Sequence, residues 1–448
     1  MMTLMTSLIP LGSHLGGWRH PQAWGHTAMN LDHAIRIAKT AERGKFDMLF
    51  LADGNAVRHM DHPDLFAAVS RSSRPTAFEP LTLLAALSQH TQHIGLFATA
   101  TTTYEEPYLL ARRFASLDHL SGGRAVWNVV TSGYEGDAEN FSRTVHVPRS
   151  ERYERCREVI DICRGLWDSW AEDAFIEDKA SGRYLDPTKV QRLDHSGKDF
   201  GVRGPLNITR PPQGHPILCT AGQSEEGLEL AAEVADTMFA VASEKTAAQA
   251  FYADVKGRMA KYGREPNQLR IIPGVTIFLG RTESEAKALF EELQELISPA
   301  LGLAFLSSFF KMDFSGYSIN DPMPEVSLER GIGTSSYRIM AGQTLRRENM
   351  TIREAYMRFA PTQGSFCVIG TPSKVADELE DWYRSGACDG FNIGTPVMPR
   401  CLDMFVDLVV PELQRRGVFR TEYTGRTLRE NMGLPRPARQ LNRKAELV

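Results

Sequence analysis

Apolar residues recur along this chain in two rhythms, short near-continuous runs and a helical period of three to four, and the two alternate. Residues 93–131 show the pattern most clearly. The apolar run 93–98 breaks into the hydroxyl cluster Thr99, Thr101, Thr102 and Thr103. Leu109, Leu110, Phe114 and Leu117 then follow at helical spacing, Ser121-Gly122-Gly123 stops that helix, and 124–130 is a second buried run. A β-α-β unit of this length makes parallel strands. In such units ligands gather at the carboxyl ends of the strands, where this segment sets its threonines and the polar run Asn128, Thr131, Ser132. Residues of this kind suit a polar ligand, and they equally suit the plain end of a strand.

The same alternation runs through the rest of the chain. Strands are predicted at 4–10, 46–52, 216–220, 237–241, 270–279 and 389–393, and helices at 30–43, 75–90, 150–167, 221–232, 246–262, 283–297 and 371–386. Eight strands alternating with helices predict an α/β chain forming one (β/α)8 TIM barrel, with an open doubly wound sheet as the alternative. Two stretches break the rhythm and read as large insertions into one barrel domain spanning 1–448. Residues 168–214, rich in charge, Gly and Pro, read as a surface excursion; 299–363, with Phe305, Phe309, Phe310, Phe314 and Tyr317, reads as an aromatic flap or helical hairpin closing over the barrel mouth. A helix at 402–416, interrupted by Pro411, leads into a C-terminal arm at about 418–448, read as solvated or wrapped around another subunit.

A hydrophobic fraction of 42%, a charged fraction of 24% and a net charge of -4 give no electrostatic case for nucleic acid or an anionic membrane. The sequence has no apolar run of membrane-spanning length and no N-terminal secretory pattern, so a cytoplasmic location is expected. Six cysteines without a C-x-x-C pair point to packed, reduced thiols, Cys156 and Cys163 on one helix face. The dinucleotide fingerprint, Walker A, H-E-x-x-H and G-x-S-x-G are all missing. Three local candidates remain. Ser224 after Ala221-Gly222-Gln223 suits an anion at a helix start, or a plain N-cap. His14 stands in a glycine-rich loop at a strand end, as a functional or a structural histidine. Asp53, His59, Asp61 and His62 offer metal-ligand atoms at no standard spacing, so loop polarity is the preferred reading and no metal is expected.

Seven stretches also carry a resemblance: FLADG at 50–54, TYEEPYLLARRFASLDHLSGGRAVWNVVTS at 103–132, ERYERC at 151–156, AGQSEEG at 221–227, IGTPSKVADELEDWYRSGACDGFNI at 369–393, VVPELQRRGVF at 409–419 and TLRENMGL at 427–434. In this order they resemble the nitrilotriacetate monooxygenase component A family of bacterial luciferase-like, FMN-dependent monooxygenases. The resemblance implies a two-component flavin monooxygenase using reduced FMN and O2 through a C4a-hydroperoxide, with the flavin supplied by diffusion from a separate NAD(P)H:FMN reductase. It implies that Asp53, Thr99 and Asn128 line the flavin, that Tyr153 and Ser224 hold its phosphate, and that Arg149 stands where the family often has a histidine. His14 becomes the candidate for steadying or protonating the oxygenated flavin. The implied substrate is an aminopolycarboxylate, an organosulfur compound or an alkane, and the implied assembly a homodimer or homotetramer. The alternatives are a deazaflavin-dependent dehydrogenase, a metal-dependent hydrolase using Asp53, His59 and His62, and a non-catalytic flavin-binding protein.

Overall fold

Among the described residues, nine parallel strands form one sheet: β1 Thr3–Ser7, β2 Met48–Leu51, β3 Gly95–Thr101, β4 Ala125–Val130, β5 Ile217–Thr220, β6 Thr237–Ala240, β7 Arg270–Leu279, β8 Phe366–Gly370 and β9 Gly390–Gly394. The computed structural model describes residues 1–25, 29–57, 66–67, 76–134, 136–310, 312–326, 336–362 and 364–440. Strands β1 to β6 pair in sequence, β6 pairs with β7, β7 with β9, and β9 with β1, closing an eight-stranded barrel. The fold is the expected TIM barrel.

β8 lies outside the expected set. β7 has ten residues and outruns β6, whose pairing ends at Ala240–Pro273. The continuing edge of β7 is covered by β8, from Val275–Phe366 to Leu279–Gly370, with the Phe366 N–H donating to the Ala242 carbonyl beyond β6. An uncovered edge would leave a row of unpaired backbone groups. Helix starts also move from expectation. The helix predicted from 75 runs Pro80–Leu87, because the Glu79 carboxylate accepts from the Leu81 and Thr82 amides and Pro80 takes the first helical position. Around Pro411, which has no N–H to give residue 407, the closing helix widens into a π turn at Phe405–Val409.

The core has two layers. Leu84, Phe114, Trp127, Ile160 and Leu379 fill the space between barrel and helices, while Met5, Met48, Phe97, Val126, Ile217 and Ile272 point inside the barrel. Leu428, Met432 and Leu434 complete the inner cluster, so this part of the C-terminal arm, expected to be solvated or wrapped around another subunit, packs against its own barrel. It plugs the base of its own barrel. Arg429 forms a two-armed pair with Asp236 at 2.9 Å on each arm, Arg420 pairs with buried Asp47, and Arg270 donates to the Met432 carbonyl. The plug follows from composition: its basic residues meet carboxylates at the strand starts, and its apolar ones fill the barrel's open end.

The first excursion forms two small antiparallel ladders, Phe175–Asp178 with Arg183–Leu185 and His195–Ser196 with Gly201–Val202. The second contains helices Pro299–Phe310, Ser336–Arg347 and Ile352–Phe359 around their own apolar cluster. Phe309, Phe310 and Phe314 are buried within it, whereas Tyr317 is exposed. Gly302 lets two of these helices close up, since a Cβ there would stand 2.5 Å from the Tyr356 ring.

Candidate active site

The carboxyl ends of β2, β3 and β4 are stitched by side chains. Thr99 and Asn128 are register partners; the Asn128 amide donates to the Thr99 hydroxyl at 2.9 Å, and that hydroxyl donates to the Leu51 carbonyl at 3.0 Å. Both residues are buried. The other threonines of the cluster serve the chain itself: Thr101 meets the Ser132 hydroxyl at 2.8 Å, and Thr102 and Thr103 donate to the carbonyls of Val130 and Thr131. Their role is to hold the β4 exit, where Ser132 takes a left-handed φ of 46°. Asp53, two residues past β2, is open to solvent at the mouth. Nearby protein mass, then the carboxylates of Glu79 and Asp137, push its pKa up to about 6 against the opposing Gly54 amide.

A second group forms where the helix Arg149–Trp167 meets the loop after β5. Gly222 lies against the Tyr153 hydroxyl so closely that a Cβ there would come within 2.7 Å of it, and one at Gly227 would come within 2.6 Å of the Gly222 carbonyl oxygen. The glycines let backbone 222–227 fold tightly around that hydroxyl. Ser224 caps the helix Glu225–Val234, accepting from the Gly227 amide at 3.3 Å, and Gln223 fixes the loop to β6 by exchanging bonds with the Val241 backbone. Arg149 lies 5.9 Å over the Tyr153 ring and 3.3 Å from the Glu226 carboxylate. Arg149 and Tyr153, one helical turn apart, are therefore brought together with the distant Ser224 in one cradle at a helix start.

His14 is buried in the loop after β1, edge-on to Phe278, with Nδ1 accepting the Gly16 amide at 3.0 Å. That bond sets the ring proton of a neutral imidazole on Nε2. The loop is pressed against the segment after β9: Gly12 has φ 95°, and a Cβ there would stand 2.2 Å from the Pro396 oxygen. Gly16 touches Leu296, which joins this loop to the base of the second excursion. His59, Asp61 and His62 lie outside the described residues.

Sequence reasoning missed Arg152. It is buried, and its guanidinium donates to the carbonyls of Thr131 and Ser132, clamping the β4 exit beside Asn128. Its position four before Cys156, on the apolar helix face, was the available signal. Also missed was the loop 133–148, where Phe141 stacks on Tyr104 at 4.7 Å, His146 hydrogen-bonds the Tyr104 hydroxyl, and Asn140 donates to the Asn55 carbonyl beside Asp53.

This barrel has counterparts among known proteins over nearly its whole length. The model of the luciferase-like monooxygenase family matches residues 5–389. The chain belongs to that family. It is 47% identical over 427 residues to N-acetyl-S-(2-succino)cysteine monooxygenase of Bacillus subtilis (strain 168), covering 95% of each chain. It is also 47% identical over 430 residues to nitrilotriacetate monooxygenase component A of Aminobacter aminovorans, again covering 95% of both. The structure of a riboflavin lyase with modified FMN and riboflavin superposes with a TM-score of 0.82 at 28% identity, covering 97% of this chain and 96% of that one. This luciferase-like chain is an enzyme, a monooxygenase. Among its described residues no single helix is long and apolar enough to cross a membrane.

Proposed function

We propose that this luciferase-like monooxygenase takes reduced FMN at the barrel mouth and uses O2 to oxygenate a small polycarboxylate built on an amine or thioether. The observation that carries the cofactor reading is the Tyr153–Gly222–Ser224 cradle at the start of Glu225–Val234. Its glycines let the loop close onto the Tyr153 hydroxyl, and its donors are those a phosphate needs: first-turn amides, a hydroxyl, and the Arg149 guanidinium. Bound reduced flavin supplies the two electrons for splitting O2, one oxygen atom entering the substrate and the other leaving as water. In this reading Tyr153, Ser224 and Arg149 hold the phosphate. Asn128, braced by Thr99 and by the Arg152 clamp behind it, orients the flavin from the β4 end, and Asp53 lines its edge. His14, with its proton on Nε2, steadies or donates a proton to the reacting oxygen.

Support for the substrate class comes from the two relatives at 47% identity, named for nitrilotriacetate and for N-acetyl-S-(2-succino)cysteine. Both are small molecules with several carboxylates around one nitrogen or sulfur. An organosulfur or aminopolycarboxylate substrate is thus preferred to an alkane. A separate reductase would deliver the flavin by diffusion, and the enzyme would act as a homodimer or homotetramer, which light scattering on the purified protein reads directly.

The deciding experiment supplies FMN, a flavin reductase, NADH and 18O2 together with nitrilotriacetate or a succinylated cysteine. One 18O atom in the oxidised product is the expected result. NADH oxidation that yields only hydrogen peroxide with every polycarboxylate tried would sink the substrate class; oxidation of substrate without O2 would sink the monooxygenase chemistry.

A further inference from the structure

A helix start offers unpaired backbone N–H groups and the positive end of the dipole to an anion. In this chain the position carries an anion of its own. Glu226 is the second residue of Glu225–Val234, and its carboxylate lies 3.3 Å from the guanidinium of Arg149, the same arginine that stands over Tyr153. Bonds from its own backbone N–H and from the Ser224 hydroxyl, with Arg149 nearby, hold its carboxyl below the usual range. The neighbouring Glu225 is engaged elsewhere, paired with Arg258. One of two adjacent carboxylates therefore occupies the donors of the cradle and the other does not.

We propose that Glu226 is a built-in stand-in for the cofactor phosphate: its carboxylate satisfies Arg149 and the Ser224 cap before FMN arrives, and Arg149 exchanges it for the phosphate on binding. This rests on the FMN reading above. The physical reason is charge. A phosphate brought to the same donors meets the Glu226 carboxylate within a few ångströms, and two anions do not share one arginine and one helix start without repulsion. Glu226 must swing out, so part of the phosphate's binding energy is spent on displacing it. Without this internal carboxylate, Arg149 would be left to grip phosphate unopposed. Glu226 thus lowers cofactor affinity. That suits a flavin that must enter reduced and leave oxidised.

The test is a titration of the full chain with oxidised FMN and with riboflavin, which lacks the phosphate, followed by flavin fluorescence at low salt. Glu226→Gln is expected to bind FMN roughly three- to tenfold tighter than wild type, with riboflavin affinity unchanged. Arg149→Ala is expected to weaken FMN binding by a larger factor when introduced into Glu226→Gln than when introduced into wild type, because without the Glu226 carboxylate the arginine is free to serve the phosphate. Unchanged or weaker FMN binding by Glu226→Gln overturns the proposal, as does an equal gain for riboflavin. Wild-type protein with no saturable FMN binding removes the FMN reading itself, and this proposal with it.

Discussion

The residues at the mouth differ in what they hold. His14 is fixed by the Gly16 amide on Nδ1 and by burial against Phe278, so its ring is oriented before any ligand arrives. His14→Ala is expected to retain FMN affinity within about threefold, since the phosphate donors are elsewhere, while diverting O2 from product to hydrogen peroxide. Peroxide yield per NADH in the reductase-coupled assay checks this; unchanged coupling would return His14 to a structural role. Asp53 behaves differently. Folded, it keeps its proton up to about pH 6, whereas the unfolded chain releases it near 3.8. The native state thus binds more protons between these values, and stability falls as pH rises through that window. Asp53→Asn removes the charge, so its urea midpoint is expected to exceed wild type by a margin that grows from pH 4.5 to pH 7. The margin is small because the carboxyl faces solvent. A gap independent of pH would mean that Asp53 titrates as an ordinary carboxylate.

At the scale of elements, local rules and edge rules compete. Helix Glu225–Val234 begins where Ser224 caps it, a purely local choice readable from Gly-Gln-Ser followed by acidic residues. β8 exists for a non-local reason, the overhang of β7, which periodicity in 364–370 does not record. The second excursion has a core of its own, with the Tyr356 ring wedged against Gly302 and its side chain buried. Tyr356→Ala empties that space and is expected to cost about 3–5 kcal/mol of stability, as large aromatic truncations do. A melting curve against wild type measures it. A loss below about 1 kcal/mol would mean that the three helices repack around the gap.

At the scale of the whole molecule, the C-terminal segment closes the base of the barrel. The base is sealed by Leu428, Met432 and Leu434, and by the pairing of Arg429 with Asp236, whose carboxyl is held below the usual range by Arg429 against the desolvation that opposes it. Arg429→Ala leaves Asp236 buried without its guanidinium and is expected to cost about 3–5 kcal/mol, read as a fall in urea midpoint at pH 7. Asp236 contributes stability above the unfolded carboxylate pKa and loses it as pH falls through its lower folded value, so the gap between variant and wild type should narrow in acid. A gap constant with pH would assign the loss to packing alone. With the base sealed, the polar strand termini lie at the opposite end, where barrels of this type take their ligands.

By itself the sequence determined what depends on near neighbours: the alternation of strands and helices, the cap at Ser224, the buried face carrying Tyr153, Cys156 and Cys163, and the strand-end positions of Thr99 and Asn128. These follow from side-chain period and turn chemistry, which a short window of residues carries. Only the tertiary structure decided that the basic C-terminal segment plugs its own barrel, that Thr101 to Thr103 bond the chain itself, that Arg152 clamps the β4 exit, and that Arg149 meets Glu226. Each of these pairs a charge or hydroxyl with a group brought near by barrel closure. Closure sets such distances through the register of every strand at once, and no local pattern along the chain encodes them.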